Sequence, residues 1–206
     1  MDTLRAAVRF FQVHAEDHTV LPIVIPRVGR HTLASFFNYA GFKNGAEIGV
    51  EQGAFSKTLC DRIEGLHLYC VDPWQHYNGY RDHVNQEKLD KFFLKTQKKL
   101  AVYDTTIIRA YSTEAAKQVP DKSLDFVYID ANHDFYHVAE DLNTWIPKVR
   151  SGGVIAGHDY MITKANPTIK VKFVVDAFTQ AHDIKPWFVV GEDEEGKAKS
   201  FFWVVS

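Results

Sequence analysis

The sequence predicts an α/β fold built on a doubly wound, mostly parallel sheet of seven strands. Two observations lead to this fold. Short apolar runs alternate along the chain with longer segments whose apolar residues recur at helical spacing. The last two runs, 187–190 and 201–205, are separated only by a charged turn, which is typical of a β-hairpin. Strands that alternate with helices run parallel, so we expect the hairpin to add an antiparallel edge.

Composition limits the classes of protein that this chain can be. Its 206 residues suit one α/β domain, and a net charge of -2 offers no basic excess for nucleic acid. Cys60 and Cys70 lie at apolar positions without metal-ligand spacing, which indicates buried, reduced thiols. The longest apolar run, 20–28, is interrupted by prolines and an arginine, and the N-terminus does not resemble a signal peptide. We therefore expect a cytoplasmic protein without a membrane or nucleic-acid partner.

The first 42 residues form a predicted helical leader ahead of the main domain, residues 43–206. Apolar residues recur at helical spacing in two segments of it, at Leu4, Val8 and Phe11 and at Leu33, Phe36, Phe37 and Ala40. Gly41 is typical of a helix end. The pattern leaves open whether the leader packs against the rim of the sheet or covers a site. Its aromatic residues could also form a homodimer contact.

A glycine turn follows the first predicted strand, 46–50, and leads into a helix. Gly49 and Gly53 allow a ligand to approach the backbone closely, as nucleotide-like ligands do at this edge of an α/β sheet. Glu51 stands where the dinucleotide fingerprint has its second glycine, and its carboxylate would repel a pyrophosphate. Together with Glu47, it favours a cofactor that carries positive charge and no phosphate, such as S-adenosylmethionine.

The later strands each end in polar residues that parallel strands would bring to the same edge. The second strand, 66–71, is followed by Asp72, at the spacing for an acid that binds ribose hydroxyls, and by Trp74, which could flank adenine or the acceptor. The third, 105–109, precedes Ser112. The fourth, 124–129, is followed by Asp130 and His133, and the fifth, 154–157, by His158 and Asp159.

Four pieces of the chain, in this order, resemble the class I S-adenosylmethionine-dependent methyltransferases. They are Glu47-Ile-Gly-Val-Glu-Gln-Gly53, Val71-Asp-Pro-Trp74, Ile129-Asp-Ala-Asn-His133 and Gly152-Gly-Val-Ile-Ala-Gly-His-Asp-Tyr160. Within that family the chain is most similar to small-molecule O-methyltransferases of the macrocin and catechol types. The resemblance extends from about residue 43 to the C-terminus. It implies a Rossmann-like methyltransferase fold and S-adenosylmethionine as cofactor.

The resemblance also implies roles for individual residues. Glu47, Gly49 and Gly53 would line the methionine and ribose part of the cofactor, Asp72 would hold the ribose hydroxyls, and Ser112 would lie near adenine. Asp130 would lie at the cofactor and, with Asp159, would bind a Mg²⁺ ion that orients the acceptor hydroxyls. His133 stands where the family has its base.

Two departures from the family pattern leave the need for Mg²⁺ open. His158 lies where an acid often helps to hold the metal, and a neutral imidazole is a poor ligand for Mg²⁺. Phe135 replaces a tyrosine that is common in relatives. The chemistry itself needs a base, because a hydroxyl is a weak nucleophile near neutral pH, and either His133 or His158 would suit.

The expected function is therefore O-methylation of a small hydroxylated molecule such as a sugar, a phenol or a natural product. Two alternatives remain at this point. One is a metal-dependent hydrolase that uses Asp130, His133, His158 and Asp159. The other is a non-catalytic binding module on the same fold.

Overall fold

The computed structural model describes residues 2–13, 20–77, 85–191 and 198–206. Its strands are β1 (Ile23–Ile25), β2 (Asn44–Ile48), β3 (His67–Asp72), β4 (Thr105–Arg109), β5 (Leu124–Ile129), β6 (Val149–Gly157), β7 (Trp187–Val190) and β8 (Ser200–Val204). Its helices are α1 (Thr3–Phe11), α2 (Arg30–Tyr39), α3 (Ala54–Arg62), α4 (Gln86–Leu100), α5 (Ser112–Ala116), α6 (Phe135–Trp145) and α7 (Val171–Ala181).

The strands form one mixed sheet in the order β1-β7-β8-β6-β5-β2-β3-β4. All neighbours are parallel except β8, which runs antiparallel to both β6 and β7. The predicted α/β class and the C-terminal hairpin are therefore confirmed. The hairpin does not end the sheet, however, because β1 pairs with the outer side of β7.

Among the described residues the sheet has eight strands, not seven, and the added strand comes from the leader. β1 has only three residues, with Pro22 and Pro26 on either side, so its pattern is too short to indicate a strand. Helices α1 and α2 of the leader pack on one face of the sheet, where the ring of Phe37 stacks on that of Phe126 at 4.5 Å between centroids. The described part of the leader thus packs at the rim of the sheet, while the domain boundary at residue 42 stays a prediction.

Helices cover both faces of the sheet, which gives the chain two apolar layers. One layer contains Phe36 and Phe37 of α2 together with Leu59 of α3. The other contains Leu142 and Trp145 of α6 together with helix α7. This arrangement places the carboxyl ends of β2, β3, β4, β5 and β6 at one edge, where ligands bind in folds of this kind.

Several local expectations need correction. The helical spacing that Phe135 shares with Val138 and Leu142 predicts a position on the buried side of its helix, but it is the first residue of α6 and is 56% exposed. β6 begins at Val149, before the predicted Val154, because Val149 already pairs with Leu124 of β5. The register then shifts, so that Val154 pairs with Phe126. Cys60 and Cys70 are free thiols, as expected, although only Cys70 is fully buried.

The tip of the hairpin, 192–195, and Tyr80 lie outside the described residues. None of the described helices is both long and apolar enough to cross a membrane.

Candidate active site

Asp72 organises the glycine turn between β2 and α3. Its Oδ2 accepts hydrogen bonds from the amides of Val50 at 3.0 Å and Glu51 at 2.9 Å, and its Oδ1 accepts one from the amide of Trp74 at 2.8 Å. Burial raises the pKa of Asp72, and these three donors partly offset the effect. A carboxylate has about four acceptor positions, so one remains for a further donor such as a ribose hydroxyl.

Helix α4 holds the same turn from its outer side. The Thr96 hydroxyl donates to the carbonyl of Glu51 at 3.1 Å, and the Lys99 ammonium donates to the carbonyl of Gln52 at 2.6 Å. Gly53 caps α3 with a φ of 66°, and Glu51 adopts a φ of 51°, so both residues are in the left-handed region. The turn is therefore fixed by its partners as well as by its glycines.

Gly49 allows the ends of β2 and β5 to approach each other. Its φ is 93°, and a Cβ at this position would lie 2.1 Å from the carbonyl oxygen of Asp130. Since that obstacle is backbone, no side-chain rearrangement would relieve it. Only glycine fits this position.

A cavity of about 680 Å³ opens at this edge of the sheet. That size is in the range of small-molecule and cofactor sites. Predicted site residues that line it are Glu47, Gly49, Asp72, Ser112, Asp130 and His133. Additional charged or aromatic lining residues are Arg30, Glu51, Phe55, Tyr77, Tyr111, Glu114, His137, Glu140 and Asp141.

The charge of the cavity fits a cationic ligand. Seven carboxylic acids line it, namely Glu47, Glu51, Asp72, Glu114, Asp130, Glu140 and Asp141, whereas Arg30 is the one arginine or lysine among the described lining residues. Such a wall would attract the sulfonium and ammonium groups of S-adenosylmethionine and repel a pyrophosphate. Together with the close backbone approach at Gly49, it makes the cavity fit that cofactor.

Glu47 lies at the floor of the cavity with only 2% of its surface exposed. The Ser56 hydroxyl donates a hydrogen bond to its Oε2. Burial raises the pKa of Glu47 to about 8, since the bond from Ser56 offsets only part of the desolvation. The carboxyl group is therefore close to changing its charge near neutral pH.

The far end of the cavity contains a buried acid that the sequence reasoning missed. Asp141 is 3% exposed, and burial raises its pKa to about 6 despite a hydrogen bond with Ser112. The indole Nε1 of Trp145 donates to the Ser112 hydroxyl at 2.8 Å. A signal existed, because Asp141 follows Val138 by three residues on the buried side of α6.

Two carboxylates and two imidazoles meet where β5 and β6 end. Nε2 of His133 is 3.1 Å from Oδ2 of Asp159 and 3.4 Å from Oδ1 of Asp130. Nδ1 of His158 is 3.2 Å from Oδ1 of Asp159. Burial alone would raise the pKa of Asp159, but its hydrogen bond with His158 and the charges of both histidines hold it below the ordinary value. The parallel strands thus bring together the residues that the sequence predicted at this edge.

Four predicted site residues lie outside the cavity lining, namely Trp74, Gly53, His158 and Asp159, the last of which contacts His133 of the lining. Trp74 requires correction, because it is 1% exposed, donates from Nε1 to the carbonyl of Glu51 at 2.7 Å and packs on Phe93. It supports the glycine turn from below. Gly53 caps α3, and His158 reaches the site only through its contacts with the two acids.

Asp130, His133 and Asp159 could hold a metal ion, since one ligand atom from each lies within 4.8 Å of the others. The set fits Mg²⁺ poorly, because this ion prefers oxygen ligands and His133 supplies nitrogen. In addition, Nη1 of Arg30 already lies 3.1 Å from Oδ2 of Asp130. A guanidinium at this distance opposes the arrival of a second cation. A softer ion such as Zn²⁺ or Mn²⁺ would fit the donor atoms better.

Comparisons with known proteins agree with this geometry. The family model of a methyltransferase domain matches residues 46–160, more than half of the chain. A curated relative, an uncharacterized protein of Sinorhizobium fredii, is 25% identical over 120 residues. That match covers 55% of this chain and only 12% of the length of the relative.

Solved structures share the fold over nearly all of the chain. The O-methyltransferase TomG of Streptomyces achromogenes, involved in tomaymycin synthesis and solved with S-adenosylmethionine, is 14% identical with a TM-score of 0.63, covering 100% of this chain and 90% of its own. A Bacillus cereus O-methyltransferase in complex with S-adenosylhomocysteine is 13% identical with a TM-score of 0.61, covering 98% and 90%. The N-methyltransferase NodS of Bradyrhizobium japonicum is 13% identical with a TM-score of 0.56, covering 85% and 94%.

At these identities the solved structures establish the fold, and the family model establishes the membership. The predicted membership of a methyltransferase family is therefore confirmed. This chain belongs to the methyltransferase-domain family, and its fold is that of the class I S-adenosylmethionine-dependent methyltransferases.

Proposed function

We propose that this protein transfers a methyl group to a hydroxyl of a small molecule, with His133 as the general base. The observation that carries the proposal is one cavity that joins the glycine turn to the Asp130–His133–Asp159 cluster. The acceptor class, the base and the cofactor contacts are all part of the proposal. A small-molecule acceptor agrees with the cavity volume, and TomG, an O-methyltransferase involved in tomaymycin synthesis, is a precedent in the same fold.

The cofactor would lie along the acidic wall of the cavity. When bound, S-adenosylmethionine supplies an electrophilic methyl group. Asp72 would accept hydrogen bonds from the ribose hydroxyls, Glu47 and Gly49 would lie against the methionine part, and Ser112 would lie near adenine. These residues hold and orient the cofactor, which is most of what a displacement between two bound reactants needs.

His133 would take the proton of the acceptor hydroxyl on its imidazole ring, which lines the cavity. The carboxylates of Asp159 and Asp130, at 3.1 and 3.4 Å from Nε2, would stabilise the imidazolium that forms. An acceptor hydroxyl at this ring would lie at the edge of the cavity that the acids and Arg30 surround. His158 would orient Asp159 and would not contact the acceptor.

The first experiment is calorimetric titration of the protein with S-adenosylhomocysteine, with NADH as control, in Mg²⁺ and then in a chelator. We expect micromolar binding of S-adenosylhomocysteine in both conditions and none of NADH. Absence of S-adenosylhomocysteine binding would refute the proposal. Tight Zn²⁺ or Mn²⁺ binding together with that absence would favour the hydrolase that the three-ligand cluster also allows.

The base is tested by His133→Gln. We expect a loss of turnover of about 100-fold or more with unchanged S-adenosylhomocysteine affinity, because a general base contributes typically 10²–10⁴-fold to the rate. The matched control is His67→Gln, whose ring pairs with Asp104 at the start of β3 and lies far from the cavity. Near-normal turnover of His133→Gln at neutral pH would rule out this base.

A further inference from the structure

Arg30 is the cation of the cavity, and it comes from the leader. It is the first residue of α2, and it lies outside residues 46–160, the part of the chain that the family model matches. Among the described lining residues it is the one arginine or lysine. The leader therefore supplies a charge that the matched part of the chain does not supply at this cavity.

The contacts of Arg30 fix its guanidinium but use few of its donors. Nη1 donates to Oδ2 of Asp130 at 3.1 Å, and the guanidinium carbon lies 5.0 Å from the ring centroid of Phe55. A guanidinium has five N–H donors in a planar fork. Within the described part of the chain, this side chain forms a hydrogen bond only with Asp130, and it remains 34% exposed at the cavity. Several donors are therefore available to a ligand.

Arg30 and the proposed base, His133, contact the same carboxylate. Arg30 contacts one oxygen of the Asp130 carboxylate, and His133 lies 3.4 Å from the other. A single carboxylate thus contacts both side chains at the same part of the cavity. An acceptor oxygen that gives its proton to His133 would lie beside the guanidinium as its negative charge develops.

We infer that Arg30 binds an oxyanion of the methyl acceptor, either the ionising hydroxyl itself or a carboxylate close to it. This inference rests on the proposed function and names the chemistry of its acceptor. Arginine suits the task because its fork binds an oxyanion through two parallel hydrogen bonds and its charge does not titrate. Arg30 would then fill the role of a bound metal ion at the acceptor oxygen.

The test compares matched probes on protein saturated with S-adenosylhomocysteine. The first pair is 4-nitrophenol and 4-nitroanisole, and the second is 4-nitrobenzoate and 4-nitrobenzamide. Affinities are measured by calorimetry at pH 8 in the presence of a chelator, so that 4-nitrophenol is largely ionised. We expect at least one anion to bind tenfold or more tightly than its neutral partner. Preference in the first pair identifies the ionised hydroxyl, and preference in the second identifies a carboxylate.

Variants then assign the preference to Arg30. We expect Arg30→Gln to abolish it, Arg30→Lys to retain part of it and Arg62→Gln to leave it unchanged, because Arg62 lies exposed on α3 and bonds Ser35. Arg30→Lys keeps the charge and guards against a folding defect in Arg30→Gln. Equal or absent binding of both members in both pairs would overturn the inference, as would a preference that persists in Arg30→Gln or that appears only when Mg²⁺, Mn²⁺ or Zn²⁺ is added.

The two proposals fail in different ways. If wild-type protein does not bind S-adenosylhomocysteine, the proposed function is wrong. If wild-type protein and Arg30→Gln both bind S-adenosylhomocysteine equally and neither distinguishes the probes, only the role of Arg30 is wrong.

Discussion

Residues of the same type in the cavity differ in burial, and burial raises the pKa of a carboxyl group. Glu47 and Glu51 are four residues apart, yet Glu47 is 2% exposed whereas Glu51 is exposed at the cavity mouth. Desolvation therefore moves the pKa of Glu47 to about 8. The sequence predicts two acids near the cofactor, but it cannot predict which of them is buried.

The raised pKa of Glu47 predicts a pH-dependent stability. The pKa of Glu47 in the folded protein, about 8, is above the ordinary value of 4.5, so the native state binds the proton more tightly than the unfolded chain. The stability that protonation contributes is present below about pH 4.5 and is lost as the pH rises through 8. Glu47→Gln removes this titration, so the free energy of unfolding should depend less on pH. Since each pKa unit corresponds to about 1.4 kcal/mol, the variant should be more stable than the wild type at pH 8, without cofactor, by about 2–5 kcal/mol.

Urea unfolding of both proteins between pH 5 and pH 9 measures this difference. Glu87→Gln, on the exposed surface of α4, serves as the control and should retain the wild-type pH dependence. Parallel curves for wild type and Glu47→Gln would contradict the prediction. The same variant should bind S-adenosylhomocysteine more weakly if Glu47 contacts the cofactor.

At the scale of elements, the site depends on the short distance between the carboxyl ends of the neighbouring strands β2 and β5. β2 and β5 are parallel partners, and the amide of Asp130 donates to the carbonyl of Ile48 at 2.7 Å. Gly49 continues from β2 at that point, and Asp130 continues from β5. The loops that carry the proposed cofactor contacts and the proposed base therefore touch through their backbones.

Gly49→Ala should be severely destabilising. A Cβ would lie 2.1 Å from the carbonyl oxygen of Asp130, and a φ of 93° is unfavourable for any residue with a Cβ. We expect a loss of about 3 kcal/mol or more in the free energy of unfolding, measured in urea, and loss of S-adenosylhomocysteine binding. Gly29→Ala is the matched control, since a Cβ there meets nothing within 4 Å and its φ is -135°. It should cost about 1 kcal/mol or less, and equal losses in the two variants would contradict the steric explanation.

At the scale of the whole molecule, the leader belongs to the core as well as to the site. Phe36 and Phe37 of α2 are fully buried, and Phe11 of α1 packs on Phe202 of β8 at 5.7 Å between centroids. The same leader helix begins with Arg30 at the cavity. Packing of α2 and the position of Arg30 at the cavity are therefore physically connected.

Phe37→Ala tests this connection. The ring is 0% exposed and stacks on Phe126, so its removal should cost about 3–5 kcal/mol of stability. Phe173→Ala, at a ring on α7 that is 47% exposed, should cost less than about 1 kcal/mol. Both are measured by urea unfolding. A small cost for Phe37→Ala would mean that the leader is not an integral part of the folded core.

The sequence alone determined the alternation of strands and helices, because apolar periodicity reports the burial of each segment locally. It also placed Asp72, Asp130, His133 and Asp159 at one edge, because the carboxyl ends of parallel strands meet there. Only the tertiary structure decided the strand β1, whose three residues are defined by pairing with β7. It likewise brought Arg30 to Asp130 across 100 positions of the chain and buried Trp74 beneath the turn. Contacts of this kind depend on the packing of distant elements, which leaves no periodic signal in the sequence.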